Sequence, residues 1–372
     1  MSRLGHDAGR VALVAAVSLI AAIAALEVGA RWVVPLSDEF FRSDPVVGIH
    51  HIEGRTGRWV SPEFDVRVTI NSAGFRDRER AREKPRGVRR VIVLGDSMTE
   101  AFQVPLEATF AARLESTLHA REPRVEVLNM GLTAIGPAQA YLLYHARARA
   151  YSPDVVVMML FMGNDFRNSS FELEGKPYLR YPVADDANRL VRDASGDVRF
   201  TAPARPGRVR EWLRTHAASY RFVRDRLMPG IATQALANAP SDDVLGLYRQ
   251  PLSASWRRAV DVTLAILTEL DRAVRADRAR LIVFVLPAPW EVDPSYVVAG
   301  GGAAGGIDYR AAEERAAAWL RARGIAVVSG RERFADDIAR GGRPYFARDG
   351  HLTPHGHALV AERLADVVKA EP

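Results

Sequence analysis

The sequence predicts an α/β protein: a parallel β-sheet covered by helices on both faces, preceded by an N-terminal transmembrane helix. Three observations predict it. Short continuous apolar runs recur at residues 90–94, 125–128, 154–161, 281–286 and 325–328, the mark of strands buried on both faces. Helical patterns at 109–121, 138–150, 256–278, 309–323 and 354–370 stand between and after them. Strand–helix alternation of this kind is what a parallel sheet requires. The third observation is a long uncharged stretch close to the N-terminus.

That stretch runs from Val11 to Leu26, interrupted only by the mildly polar Ser18. Sixteen residues of helix span roughly 24 Å, slightly short of a ~30 Å hydrocarbon core. Continuing through Val28, Gly29, Ala30, Trp32, Val33 and Val34 makes it long enough, with Glu27 and Arg31 near the far interface. Arg3 and Arg10 precede the run, so the positive-inside rule keeps the short N-terminus in the cytoplasm and sends the rest across the inner membrane to the periplasmic side. A cleaved signal peptide is the competing reading, with small-residue sites at Ala22-Ile23-Ala24 and Val28-Gly29-Ala30. A buried core helix is the third, weakened by the absence of a polar stripe.

Residues 35–88 read as an extended segment packing on the main domain. It is rich in turn formers and charges, with one alternating strand at 66–70 and a turn at Asn71-Ser72-Ala73-Gly74. The main domain is expected at 89–372. Within it, 167–250 interrupts the alternation and reads as an insertion or lid, with a hairpin around Asp193-Ala194-Ser195-Gly196-Asp197 and an arginine-rich stretch at 205–226. Gly300 to Gly306 forms a low-complexity loop.

Composition excludes several functions. Hydrophobic residues make up 48% and charged residues 26% of the 372, proportions that rule out a disordered or fibrous chain. There is no cysteine, hence no disulfide scaffold, thiolate zinc site, Cys nucleophile or iron–sulfur cluster. The net charge of +6 comes almost wholly from arginine spread along the chain, since Lys84, Lys176 and Lys369 are the only lysines. Spread charge is not a nucleic-acid patch.

In open α/β sheets ligands bind at the carboxyl ends of the strands. The first core strand runs into Gly95-Asp96-Ser97, placing a serine where a helix begins. A serine needs a base to take its proton, and a helix N-terminus favours developing negative charge. Alone, such a serine is usually an N-cap. The third strand ends in Gly163-Asn164-Asp165, where an asparagine amide can donate to an oxyanion, although the same trio makes ordinary turns. Near the C-terminus stands Asp349-Gly350-His351-Leu352-Thr353-Pro354-His355-Gly356-His357. Thr353 and Pro354 mark a helix start, which leaves His351 in the preceding loop. Asp349 can fold back across the glycine to accept from Nδ1–H, leaving Nε2 as base.

In this order, these blocks resemble the SGNH/GDSL hydrolase family, and with the membrane segment and Asn71-Ser72-Ala73-Gly74-Phe75-Arg76-Asp77 they resemble a membrane-anchored bacterial branch of it. The second block of the family corresponds to Asn129-Met130-Gly131-Leu132-Thr133-Ala134. The resemblance covers residues 88–166 and 280–370. It implies a flavodoxin-like three-layer α/β/α fold and a serine esterase without cofactor or metal. It further implies Ser97 as nucleophile, His351 as base and Asp349 as its orienting partner. The oxyanion hole would comprise Ser97 and Ala134 through their backbone N–H groups and Asn164 through its side chain, with Asp96, Gly131, Gly136 and Asp165 in support. This chain has Ala134 where the family usually has glycine, one residue rather than two between Asp349 and His351, and none between Gly163 and Asn164. His355 and His357 stay open as alternative bases.

The leading expectation is hydrolysis of O-acyl esters, short acyl groups on carbohydrate or other envelope substrates, with an O-acyltransferase using the same Ser97 acyl-enzyme as the alternative. A metal-dependent phosphoesterase would instead use Asp96, Asn164, Asp165, His351 and His357. A silent binding protein on the same fold is the third reading. Arg210, Arg214, Arg221, Arg224 and Arg226 suggest a cationic approach for an anionic or carbohydrate substrate over the insertion.

Overall fold

A computed structural model describes residues 2–32, 36–120, 122–204, 207–224, 244–296 and 306–369. Helix α1 (Ser2–Trp32) comes first, followed by two antiparallel pairs, β1 (Phe41–Asp44) with β2 (Gly48–His51) and β3 (Thr56–Val60) with β4 (Asp65–Thr69). The central sheet holds β5 (Arg89–Gly95), β6 (Val125–Gly131), β7 (Val155–Phe161), β8 (Arg280–Leu286) and β9 (Ala326–Ser329). Their order is β6-β5-β7-β8-β9 and every pairing is parallel. Counted along the sheet strands this is 2-1-3-4-5, the flavodoxin-like doubly wound order, whose crevice lies where the winding reverses at the first strand.

Alternation along each strand divides the core. Ile92, Leu94, Leu128, Met130, Val156, Met158, Val283 and Val285 face one layer of helices. That layer contains α4 (Pro137–Ala146) and the long helix Ala254–Ala276, through Leu143, Tyr144, Leu264 and Leu267. Val91, Val93, Val127, Val157, Met159, Ile282 and Phe284 face the other layer. There α3 (Phe110–His119) and the last helix, Pro354–Val368, supply Phe110, Leu114, Leu118, Leu359, Val360 and Leu364. All of these are essentially inaccessible, so truncating one of the leucines costs about 2–5 kcal/mol.

Two expectations need correction. Residues 35–88 are more ordered than their polar composition suggests: four short strands are present where one was expected. Phe40, Val66, Val68 and Ile70 close on Phe102, with Phe41, Trp59 and Phe64 around them, as a third apolar cluster. The insertion is the second. The hairpin region 182–200, turning at Asp193–Asp197, lies along the long helix, with Arg192 on Glu269 and Asn188 on Asp261. Helix α7 (Arg208–His216) is tied to Glu39 and Ser43 of the N-terminal segment. The described part of the insertion is therefore tied to the long helix and to the N-terminal segment. Its arginines are also engaged: Arg214 and Arg224 pair with Glu39, and Arg221 donates to the Arg214 and Thr215 carbonyls. Arg226 and residues 300–305 lie outside the described residues.

Candidate active site

The site stands at the carboxyl edge of β5, β6 and β7. Gly95 ends β5, and a Cβ there would lie 2.2 Å from Thr99 Oγ1 and 2.9 Å from Met159 Cβ. At the matching end of β6, a Cβ on Gly131 would lie 2.3 Å from the Glu100 nitrogen. These two glycines let the short helix α2 (Ser97–Glu100) press directly onto the strand ends. Asp96 caps that helix, accepting from Met98 N–H at 2.9 Å, and Ser97 follows at its first position, partly exposed.

His351 comes from the far end of the chain. Its Nε2 is 2.8 Å from Ser97 Oγ, and its Nδ1 is 2.6 Å from Asp349 Oδ1. Gly350, at φ +79°, makes the reversal that brings the carboxylate back to the ring. Burial lowers the His351 pKa, but the hydrogen bond and charge of Asp349, joined by Asp96 and Glu100, outweigh it and leave the imidazole above its ordinary value. The other two histidines are engaged elsewhere. His355 Nε2 meets Asp337 Oδ2 at 2.8 Å. His357 is buried against Phe110, whose N–H donates to its Nδ1 at 3.2 Å, and burial pushes its pKa down to about 3. His357 thus stands apart from the other four residues of the metal reading, and the described residues contain no group of three or more His, Asp or Glu able to hold a metal ion.

Asn164 follows β7, and its carboxamide lies beside Asp96. Asp96 and Asp165 are both fully buried. Burial raises each pKa, Asp96 to about 6; the charge of Glu100 adds to the rise at Asp96 and the charge of Asp96 to that at Asp165. Asp165 receives only the Phe161 N–H, at 2.7 Å, whereas Asp96 has Met98 N–H, His351 and Asn164 to favour its charge. Gly136 caps α4, its N–H donating to Gln139 Oε1 at 2.9 Å, and a Cβ there would lie 2.8 Å from the Asp165 carbonyl.

Ala134 has φ +63°, the left-handed region. With a Cβ in that region, the alanine bears strain of about 1–2 kcal/mol. Strain of this kind persists only where neighbours over-determine the conformation. Leu132 N–H is held by the Gly95 carbonyl at 3.0 Å, and Thr133 N–H donates to Glu100 Oε1 at 2.8 Å. That carboxyl oxygen also meets His51 Nε2 at 2.7 Å, while His51 Nδ1 donates to the Gly74 carbonyl at 2.8 Å. Since the carbonyl can only accept, a proton must also lie between His51 Nε2 and Glu100. The pair is wholly buried. A second brace comes from Glu63, which accepts from Arg348 N–H at 3.0 Å and from Asp349 N–H at 2.7 Å. Neither Glu63 nor His51 and Glu100 was read as part of the site, and nothing in the sequence separates them from ordinary surface charges.

A doubly wound α/β domain with serine, histidine and aspartate in hydrogen-bonded series at its strand ends belongs to the class in which acyl-transfer chemistry recurs. No family model matches the sequence, and no curated protein matches it. Among solved structures, the chain is similar to an acetyl xylan esterase, AlAXEase, at 13% identity and TM-score 0.43, over 75% of this chain and 99% of that one. It is similar to a catalytic mutant of Axe2, an acetylxylan esterase from Geobacillus stearothermophilus, at 12% identity and TM-score 0.41, over 77% and 97%. A similar likeness is found to the α/β hydrolase LAE5 from the metagenome of Lake Arreo, at 12% identity and TM-score 0.41, over 76% and 97%.

Proposed function

We propose that the protein is a serine ester hydrolase of the SGNH/GDSL type, held at the membrane by α1, that removes O-acyl groups from carbohydrate or other envelope substrates. The observation that carries the reading is the unbroken series Ser97 Oγ to His351 Nε2 at 2.8 Å and His351 Nδ1 to Asp349 Oδ1 at 2.6 Å. His351 takes the proton of Ser97 as the oxygen attacks the ester carbonyl. The tetrahedral oxyanion is met by the N–H groups of Ser97 and Ala134 and by the Asn164 amide, each a preorganised donor worth about 3–4 kcal/mol in the transition state. His351 then protonates the leaving alcohol. Water, activated by the same imidazole, releases the acid and restores Ser97. No step requires a metal or a cofactor.

The localisation follows from α1. Within Gly9–Trp32 an 18-residue window has a mean hydropathy of 2.5 and none of that window is buried, and Arg3 and Arg10 on its N-terminal side orient the rest outward. The enzyme then meets periplasmic esters.

The test is hydrolysis of p-nitrophenyl acetate by the full chain in detergent, with Ser97→Ala and His351→Ala alongside. Expected is chelator-resistant turnover that both substitutions abolish. Turnover that survives Ser97→Ala would overturn the reading. Acyl transfer to an added sugar in place of hydrolysis would redirect it to the O-acyltransferase.

A further inference from the structure

Helix α7 ends beside the exit of α1. The Glu27 carboxylate accepts from Ala218 N–H at 2.9 Å, Ser219 N–H at 2.8 Å and Ser219 Oγ–H at 2.7 Å, so it caps the helix Ala218–Phe222 that follows α7. Arg31 pairs with Glu27 at 2.5 Å and donates to the His216 carbonyl, at the last residue of α7, at 3.2 Å. Glu27 lies five residues before the end of the span, roughly 8 Å along a helix axis. These contacts put the α7 terminus at headgroup depth when α1 crosses a bilayer.

The two sides of α7 differ. Glu211 accepts from Ser43 N–H and Arg214 pairs with Glu39, both against the N-terminal segment. The other side presents Val209, 73% exposed, and Trp212, 58% exposed, with the Trp212 ring stacked on exposed His216 at 5.1 Å. Positions 209, 212 and 216 form one stripe of a helix. Trp32, 80% exposed at the end of α1, continues the same character. Tryptophan with a basic neighbour, here Arg210, suits the boundary between headgroups and acyl chains.

We propose that this stripe is a second membrane contact: Val209 and Trp212 enter the headgroup region of the leaflet through which α1 emerges. The domain then lies on the bilayer in one orientation instead of swinging from a single tether. The inference rests on the reading of α1 as a membrane span. Its occupant is the lipid surface, because the stripe adjoins the point where the chain leaves the bilayer.

The absence of native cysteine permits single-site labelling. Val209→Cys, Trp212→Cys, Gly196→Cys and Leu19→Cys, each in the full chain, would carry a nitroxide in phosphatidylcholine–phosphatidylglycerol vesicles. Collision with oxygen and with a water-soluble nickel chelate reports depth. Expected at 209 and 212 is a ratio of oxygen to nickel accessibility severalfold above that at 196, on the distant hairpin tip, and below that at 19. Labels at 209 and 212 that match 196, while 19 reads as bilayer, would overturn the second contact and leave the span standing. A label at 19 that reads as water would overturn the span itself. Low accessibility to both reagents at 209 and 212 would mean that protein covers the stripe, which also overturns the proposal.

Discussion

Replacing Asp349 by asparagine changes one atom in the series Ser97–His351–Asp349 and removes two separate contributions. The first is tautomer control. Asp349 Oδ1 lies 2.6 Å from Nδ1, and as an oxygen without a proton it can only accept, which keeps the hydrogen on Nδ1 and the lone pair of Nε2 toward Ser97. An asparagine amide offers a donor in its place and favours the reversed ring. The second is charge, since Asp349 is the leading reason that the imidazole stands above its ordinary 6.5 despite burial. In the serine-protease triad the same exchange costs about 10⁴ in kcat. With the His351 and Asp349 side chains about one-quarter exposed, the expected loss is about 10³–10⁴, or about 4–5.5 kcal/mol of transition-state stabilisation. The sign of the pH effect follows from the role. His351 works as a neutral base, so wild-type kcat/KM falls as the pH drops through its raised pKa. Without the carboxylate that limb moves to lower pH. The assay is p-nitrophenyl acetate turnover from pH 5 to 9, with circular dichroism as the check on folding. A folded variant with kcat within tenfold of wild type, or with its acidic limb unmoved, would refute the assignment of Asp349.

Three further outcomes follow from the surroundings of the site. Ala134→Gly should relieve the left-handed strain, raise stability by about 0.5–1 kcal/mol in urea unfolding and keep kcat, because the N–H stays in place; Ala134→Val should lose stability and turnover together. Glu100→Ala should cost about 3 kcal/mol by stranding buried His51 and lower kcat at least tenfold with little change in KM, whereas Glu100→Gln, which retains an acceptor for Thr133 N–H, should restore most of it; equal kcat in the two variants would disprove the brace. His357 is held neutral, with a folded pKa of about 3 against an ordinary 6.5, so its stabilising effect is full above pH 6.5 and declines as the pH falls toward 3. Between pH 8 and pH 5 that amounts to about 2 kcal/mol at ~1.4 kcal/mol per pH unit, and His357→Gln should show a correspondingly shallower loss in urea titrations at the two pH values.

The five sheet strands were legible because a strand buried on both faces must be apolar at every position, as 155–161 is. The N-terminal hairpins were not. Phe41–Asp44 and Gly48–His51 contain Arg42, Ser43, Asp44, His50 and His51, and only tertiary contacts explain their burial: Phe41 and His51 stack on Phe102, His50 meets Phe75 edge-on and Asp44 pairs with Arg147. Helix Arg331–Ala339 was missed for a related reason: five of its nine residues are charged, and Arg331 is buried only because Glu291 and Glu313 pair with it. At the site, motif order exposed Ser97, Asn164, Asp349 and His351. It left three histidines as candidate bases, and packing separates them: His357 faces Phe110, His355 faces Asp337, and His351 alone of the three reaches Ser97. The positive φ of Ala134 gave no signal, since an alanine there looks like any other.

The bracing residues bear on what the N-terminal segment is for. Glu63 holds the N–H groups at 348 and 349, and Phe64 packs edge-on to Phe346 at 5.3 Å, so one hairpin sets the loop that carries Asp349. His51, at the end of the other hairpin, holds Glu100 and through it Thr133, next to Ala134. The loop carrying Asp349 and the backbone beside Ala134 thus both lean on residues 36–88. A buried hydrogen-bonded group deprived of its partner costs about 1–3 kcal/mol, more when charged, so a chain beginning at 89 would strip Glu100 of its buried His51 partner and the exposed 348–349 amides of Glu63. Residues 36–88 are in this sense part of the same structural unit as Ser97, His351 and Asp349. The segment joining α1 to the sheet is the one that braces the surroundings of Ser97, which ties the position of that helix to the geometry of the site.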